Sequence, residues 1–213
     1  MNWHAEVLGT RQEKVLKRIG PLMDRWNFYL AGGTAIALHL GHRHSVDLDW
    51  FTGEGITDPL RLARDIEEEG IPFATGQIGR GALHGIVSGV RISLLGYRYP
   101  LLEPLVPWPA CGCSLASLDD LAGMKLSALA QRGAKKDFAD LYALGVKHCP
   151  LEKMLELYKK KFSIQDIGHL LYSLAYFDDA DRERLPRMLW DTDWRIIKET
   201  TQEWVKEIGN AKP

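Results

Sequence analysis

Cysteine is scarce in this chain: three residues in 213, Cys111, Cys113 and Cys149. An odd number, with Cys111-Gly-Cys113 lacking a second Cys or His pair at zinc-binding spacing, argues against a disulfide framework and a zinc finger. Reduced thiols of a cytoplasmic protein are expected. Long apolar runs are missing too. No stretch approaches the roughly 20 apolar residues that a membrane-spanning helix needs, so no membrane partner is expected. The opening "MNWHAEVLGTRQEKVLKRIG" carries charges every few residues, with no apolar core or cleavage site, unlike a signal peptide. Charge of one sign is not in excess either, since 27 Lys and Arg against 28 Asp and Glu leave a net charge of −1. That balance gives no global footprint for wrapping nucleic acid, while a local basic patch stays open. What is present is ordinary: 46% hydrophobic and 26% charged residues, the make-up of a soluble globular chain long enough to bury a sizeable core.

Periodicity divides the chain into two parts. Val7, Val15, Ile19 and Leu22 recur at helical spacing and predict an amphipathic helix over 5–26. "FYLA" (28–31) reads as a buried strand ended by Gly32-Gly33, and "TAIALHL" as a helix stopping at Gly41. "SVDLDWF" (45–51) is β-rich, and 58–70 is helical, with Pro59 near its start and Gly70 after its end. "IPFATGQI", "ALHGIVS" and "VRISLLGY" read as strands, the last two joined by a tight turn at Ser88-Gly89. Residues 99–113 hold four prolines and read as a linker or irregular crossing segment. Helices are then expected over 118–132, 136–147, 151–161, 165–177 and 193–208, the first opened by a capping pair, Ser117 and Asp120. The fold class expected is α/β (α+β): a mixed-sheet domain over 1–105 and a helical bundle domain over 106–213 that closes a cleft.

Asp47 and Asp49 interrupt the apolar strand at 45–51. Side chains alternate along a strand, so the two carboxylates share a face, about 6.6 Å apart at the backbone, while Val46, Leu48 and Trp50 point to the core. Two negative charges on a half-buried strand are unfavourable unless a cation or strong donors offset them, and Mg²⁺ characteristically takes one or two protein carboxylates. Gly32-Gly33-Thr34 lies where a strand feeds a helix. Such a turn offers backbone N–H groups and a positive helix end to a phosphate, with Thr34 placed to cap the helix or donate to the ligand. Arg43, between His42 and His44, is a candidate for bidentate phosphate binding.

On the helix over 118–132, Asp120, Ser127 and Gln131 mark a solvent face, whereas Lys125 falls on the apolar stripe with Leu118, Leu121, Ala128 and Leu129. A lysine there needs an anionic partner or a route to water, and a bound phosphate is the expected partner. On the next helix Asp137 and Asp140 share a face near the positive N-terminal end, and Lys136 can pair with Asp140.

Strand, Gly-Gly, then thirteen residues that include a helix, then Asp-apolar-Asp on a second strand: this order resembles the signature of the nucleotidyltransferase fold of DNA polymerase β-like enzymes. More closely, "FYLAGGTAIALHLGHRHSVDLDWFT" is similar to the AbiEii/AbiGii toxin family, nucleotidyltransferase-like proteins of abortive-infection and toxin-antitoxin loci. "KLSALAQRGAKKDFADLYAL" (125–144) resembles that family's second motif block, and "LAYFDDAD" (174–181) does so more weakly. The resemblance implies transfer of a nucleoside monophosphate from an NTP, with Mg²⁺ on Asp47 and Asp49. It implies an RNA acceptor such as the tRNA 3′ end, and a cognate antitoxin. Lys125 and Asp137 carry over as active-site residues; Arg132, Lys136 and Asp140 are further candidates, and Gly32, Gly33, Thr34 and Arg43 fall at the nucleotide. One departure stands out: where such enzymes place a third carboxylate on a later strand, "GVRISLLGY" offers only Ser93; either Asp137 takes that role from the helical half as candidate base, or one metal suffices, or the chemistry is weakened. Two alternatives follow, a degenerate fold that binds nucleotide or protein without turnover, and an enzyme modifying a small aminoglycoside-like acceptor.

Overall fold

The computed structural model describes residues 3–210. The first long helix, α1 (Thr10–Arg25), starts later than expected. Ala5–Val7 form a separate 3₁₀ turn, and Gly9 caps α1 by donating its N–H to Gln12 Oε1 at 2.9 Å. Then come β1 (Tyr29–Ala31), α2 (Gly32–Leu40), β2 (Asp47–Thr52) and α3 (Pro59–Glu68). Asp58 caps α3 by accepting the Arg61 N–H at 2.9 Å, with Pro59 at the first helical position. β3 (Ala74–Gly79), β4 (Ala82–Val87) and β5 (Val90–Gly96) follow. Ser88 and Gly89, with φ of 50° and 79°, make the β4–β5 turn, as a tight hairpin of this hand requires.

Residues 99–113 are not merely a linker. Val106–Trp108 forms β6 and Cys113–Leu115 forms β7, joined through a 3₁₀ turn over Pro109–Cys111, and β7 pairs with β1. Pro107 is tolerated because β6 is an edge strand. The sheet order is β3-β4-β5-β2-β1-β7-β6, with β2 parallel to β5 and antiparallel to β1. Burial pushes the thiols of Cys111 and Cys113 up, to about 11 and about 12, far from reactive thiolates.

The helical part comprises α4 (Leu118–Gln131), α5 (Lys135–Lys147), α6 (Leu151–Phe162), α7 (Gly168–Ala175), α8 (Asp178–Arg182) and α9 (Trp194–Asn210). The helix expected over 165–177 is shorter, ending before Tyr176. α2 joins the two parts. Its Thr34, Ala35, Ile36, Ala37 and Leu38 are all buried, packed against β1 and β2 on one side and α4 and α5 on the other. A helix apolar on every side belongs in such a place.

Asp120 does not mark a solvent face. It is fully buried and accepts from the Ser117 hydroxyl at 2.7 Å, the Leu102 N–H at 2.9 Å and Lys161 Nζ at 2.6 Å, and the Lys161 ammonium also donates to Pro100 O at 2.8 Å. The capping reading was right locally; a cation 41 residues on in α6 turns the cap into an anchor for the segment after β5. Removing one member of a buried ion pair strands the other. Asp120→Ala should therefore destabilise the fold by about 3–5 kcal/mol in urea denaturation, with Asp120→Ala/Lys161→Met recovering part of the loss.

Candidate active site

Along β2, Leu48, Trp50 and Thr52 are buried on one face, and Asp47, Asp49 and Phe51 lie on the other. Val46, expected in the core, precedes the strand and is exposed. The carboxylate face lines a cavity of about 620 Å³. Register places Arg91 of β5 beside Asp47 and Ser93 beside Asp49, and His84 of β4 beside Ser93. α4 and the start of α5 contribute Lys125, Gln131, Arg132 and Lys136. The stretch between α8 and α9 adds Pro186 and Arg187, fastened by the His44 N–H to Arg187 O at 2.9 Å and the Leu189 N–H to His42 O at 2.8 Å. The cavity thus gathers Gly32, Gly33, Thr34, Arg43, Asp47, Asp49, Lys125, Arg132 and Lys136, with Asp137 outside its lining.

The two glycines are required by neighbours inside the protein. Gly32 has φ +69°, and a Cβ there would come within 2.8 Å of Asp49 Oδ2. A Cβ on Gly33 would overlap Arg43 Nη2 and lie 3.0 Å from Asp140 Oδ2. Thr34 neither caps α2 nor faces the cavity freely. Its buried hydroxyl bonds the Ser45 hydroxyl at 2.7 Å and donates to the Asp47 carbonyl, pinning the start of β2.

Behind the cavity lies a buried ion network. Asp140 accepts from Arg43 Nε at 2.6 Å and Nη2 at 2.9 Å, from His42 Nε2 at 2.7 Å, and pairs with Lys125 Nζ at 2.8 Å. Asp137 accepts from Lys125 Nζ at 2.8 Å and from Arg132 Nε and Nη2 at 2.8 and 2.9 Å. Lys125 has the anionic partner its position demands, and that partner is a pair of carboxylates of the chain itself. The remaining Arg43 nitrogen donates to His44 O at 2.9 Å, so three of its five N–H groups are already committed inside the protein. Asp140 belongs to Arg43 and Lys125 and makes no pair with Lys136. Burial pushes the Asp137 carboxyl up, but Lys125 and Arg132 outweigh it and hold the group at about 2. Burial acts likewise on Asp140, where Arg43, Lys125 and His42 prevail and hold it well below the carboxylate range.

Asp49 behaves oppositely. Burial pushes its carboxyl up and Asp47 adds to that, against the Ser93 hydroxyl and the Lys136 and Lys125 charges. A cation shared with Asp47 would reverse the shift. Asp47 accepts from Arg91 Nε at 2.7 Å, an exposed pairing worth at most about 1 kcal/mol and so easily opened. Two hard carboxylates on one strand fit Mg²⁺, which leaves its other positions to water and phosphate oxygens. Among the described residues no group of three or more His, Cys, Asp or Glu gathers into a larger cluster.

Comparison with known proteins decides the family. The model for "Nucleotidyl transferase AbiEii toxin, Type IV TA system" matches residues 14–83 and 86–205. The chain belongs to the AbiEii family. An uncharacterized protein of Aquifex aeolicus (strain VF5) is 36% identical over 202 residues, 94% of this chain and 97% of that protein. MenT4, a nucleotidyltransferase toxin of Mycobacterium tuberculosis H37Rv, superposes with a TM-score of 0.52 at 14% identity, covering 96% of this chain and 84% of that one. An H. pylori protein described as a nucleotidyltransferase gives 0.50 at 16% identity, over 99% and 96% of the two chains. Likeness at this level is one of fold, and the fold of this AbiEii protein is that of a nucleotidyltransferase.

Several lining residues escaped the sequence. Arg187 lies in irregular chain with no local signal; His84 lies on the cavity face beside Ser93 by strand alternation, a signal that was there to read. Two outcomes follow from the geometry. Gly33→Ala should displace the Arg43 guanidinium and destabilise the fold by about 1–3 kcal/mol, as other overpacked sites do, measured by denaturant titration. The second concerns acid. Because Asp137 falls from the ordinary 3.8 to about 2 on folding, the unfolded chain binds the proton first. Its contribution of about 2 kcal/mol is complete above the unfolded value and is lost as pH falls from about 4 to about 2. Asp137→Asn should flatten stability over that window in urea titrations, and an unchanged slope would contradict the assignment.

Proposed function

We propose that this AbiEii family member is a Mg²⁺-dependent nucleotidyltransferase that moves a nucleoside monophosphate from an NTP to an RNA hydroxyl. The tRNA 3′ end is the first acceptor to test, and the protein acts in the cytoplasm as a toxin restrained by a cognate antitoxin. The observation that carries the reading is the pair Asp47 and Asp49 on the cavity face of β2, packed against the Gly32 turn at the positive end of α2. Residues 1–105 supply the carboxylates and the turn, and 106–213 bring the cations that close the cleft.

Mg²⁺ held by Asp47 and Asp49 would neutralise charge on the phosphates and polarise the reacting one. The first turn of α2 offers backbone N–H groups to the triphosphate. Lys136 and Arg187, exposed in the cavity lining, are free to move onto phosphate oxygens, whereas Arg132 reaches the lining from its pair with Asp137. Lys125 and Arg43 act as fixed positive charges at the back of the site, where a preorganised charge needs no reorganisation as the reaction proceeds. Asp137 holds Lys125 and Arg132 in place, since a carboxyl at about 2 is too weak a base to keep a proton near neutral pH.

Ser93 in place of a strand carboxylate favours one second reading, a module that binds nucleotide without turnover. Calorimetry with Mg²⁺-NTP, run beside transfer of labelled NMP to total RNA, separates the two. Asp47→Ala and Asp49→Ala should each lower transfer on the order of 10²–10³-fold and weaken Mg²⁺-NTP binding. Retention of both activities in both variants would refute the proposal; binding without transfer in the wild type, on RNA or a small acceptor, would establish the module.

A further inference from the structure

We infer that the exposed pair Tyr172 and Tyr176 is a stacking platform for the unpaired 3′ end of an acceptor RNA, set beside the cavity in which transfer takes place. The inference rests on the nucleotidyltransferase reading and deepens it, from a cavity for the NTP to a place for its acceptor. α7 packs against α4 and is held there by Leu170 and Leu174, both fully buried. Tyr172 turns outward and is 72% exposed; Tyr176, four residues on and just past the helix end, is 40% exposed. The two rings lie nearly parallel, with 13° between their planes and 6.2 Å between centroids. Single exposed aromatics are ordinary, whereas a parallel pair at the edge of a catalytic cavity offers flat apolar area to a planar partner.

The tyrosines border a groove of about 160 Å³ that Leu129 and Ala130 of α4 also line. Gln131 and Arg132 belong to this groove and to the larger cavity alike. The groove is therefore a side arm of the site that holds Asp47 and Asp49, and a strand laid on the tyrosines meets that site at Arg132. Tyr176 and Asp179, which also lines the groove, both come from "LAYFDDAD" (174–181), a stretch to which the cavity itself gives no role.

The make-up of the groove selects the ligand. A bare phosphate would find one guanidinium and, against it, the Asp179 carboxylate. A nucleotide suits every part: its base stacks on the tyrosines, its phosphate meets Arg132, and the exocyclic amino group of a cytosine or adenine has Asp179 as acceptor. Arg132 gives Nε and Nη2 to Asp137 and its side chain is still 56% exposed, so it can serve a phosphate without giving up that pair. Ser173 spends its hydroxyl on His169 O at 3.0 Å and adds nothing to recognition. A groove of this size admits a base and not a base pair, so the end it takes must be unpaired. It is also far short of the contact area that a stable protein partner needs.

The test measures RNA binding and NTP binding separately on the full-length protein. By fluorescence anisotropy, a labelled RNA hairpin with a short 3′ overhang should bind more tightly than the same hairpin ending blunt. Tyr172→Ala/Tyr176→Ala should weaken the overhang RNA roughly 5–100-fold and raise its KM in labelled-NMP transfer, with Mg²⁺-NTP binding by calorimetry unchanged. Tyr172→Phe/Tyr176→Phe, which keeps both rings, should retain most of the RNA affinity and so separate stacking from a structural loss. Wild-type RNA affinity in the double alanine variant, or equal affinity for blunt and overhang ends, would overturn the inference and leave the transferase reading standing. Loss of binding to a cognate antitoxin in that variant, with RNA binding kept, would overturn it in favour of a protein-docking face. A wild type that transfers NMP only to a small acceptor sinks the platform alone. One that transfers to nothing sinks the nucleotidyltransferase reading, and the acceptor site with it.

Discussion

Asp140 is the charge on which the two parts of the molecule depend. It sits fully buried on α5 and collects Arg43 and His42 from the chain leading into β2 and Lys125 from α4. A buried carboxylate left without partners is costly by several kcal/mol, so each of these contacts must be in place for the fold to close. The requirement propagates. Arg43 can reach Asp140 only because residue 33 has no side chain, since its guanidinium occupies the place a Cβ would take.

The same network sets the electrostatics of the cavity. Arg43, Lys125 and Arg132 carry three positive charges against two on Asp137 and Asp140, leaving one in surplus behind a site whose strand face carries Asp47 and Asp49. Cations of two kinds result. Those in the network are fixed before any ligand arrives and act through their field; Lys136 and Arg187, exposed and outside any ion pair among the described residues, can follow a ligand's phosphates.

How much of this was legible in the sequence depends on the range of each interaction. Alternation is local, so Asp47 and Asp49 were placed correctly on one strand face. The glycine pair was picked out for an external ligand, whereas the atoms that exclude a Cβ belong to Asp49, Arg43 and Asp140, far along the chain. Lys125 showed that it needed an anion without showing which, because Asp137 and Asp140 approach it only once α4 and α5 pack. Asp120 was recognised as a cap and wrongly exposed, since nothing near it announces Lys161. The prolines of 99–113 concealed β6, an edge strand that can do without the N–H that Pro107 lacks.

The replacement of a strand carboxylate by Ser93 has its own electrostatic logic. A third carboxylate in register with Asp49 would stand beside a group that burial and Asp47 already push toward protonation, and would raise it further. Serine at that place removes the charge. With two carboxylates, the strand face carries two negative charges, which one divalent cation would balance. A second cation would have to draw its ligands from the nucleotide, with the surplus positive charge of the Arg43, Lys125 and Arg132 network opposing its approach.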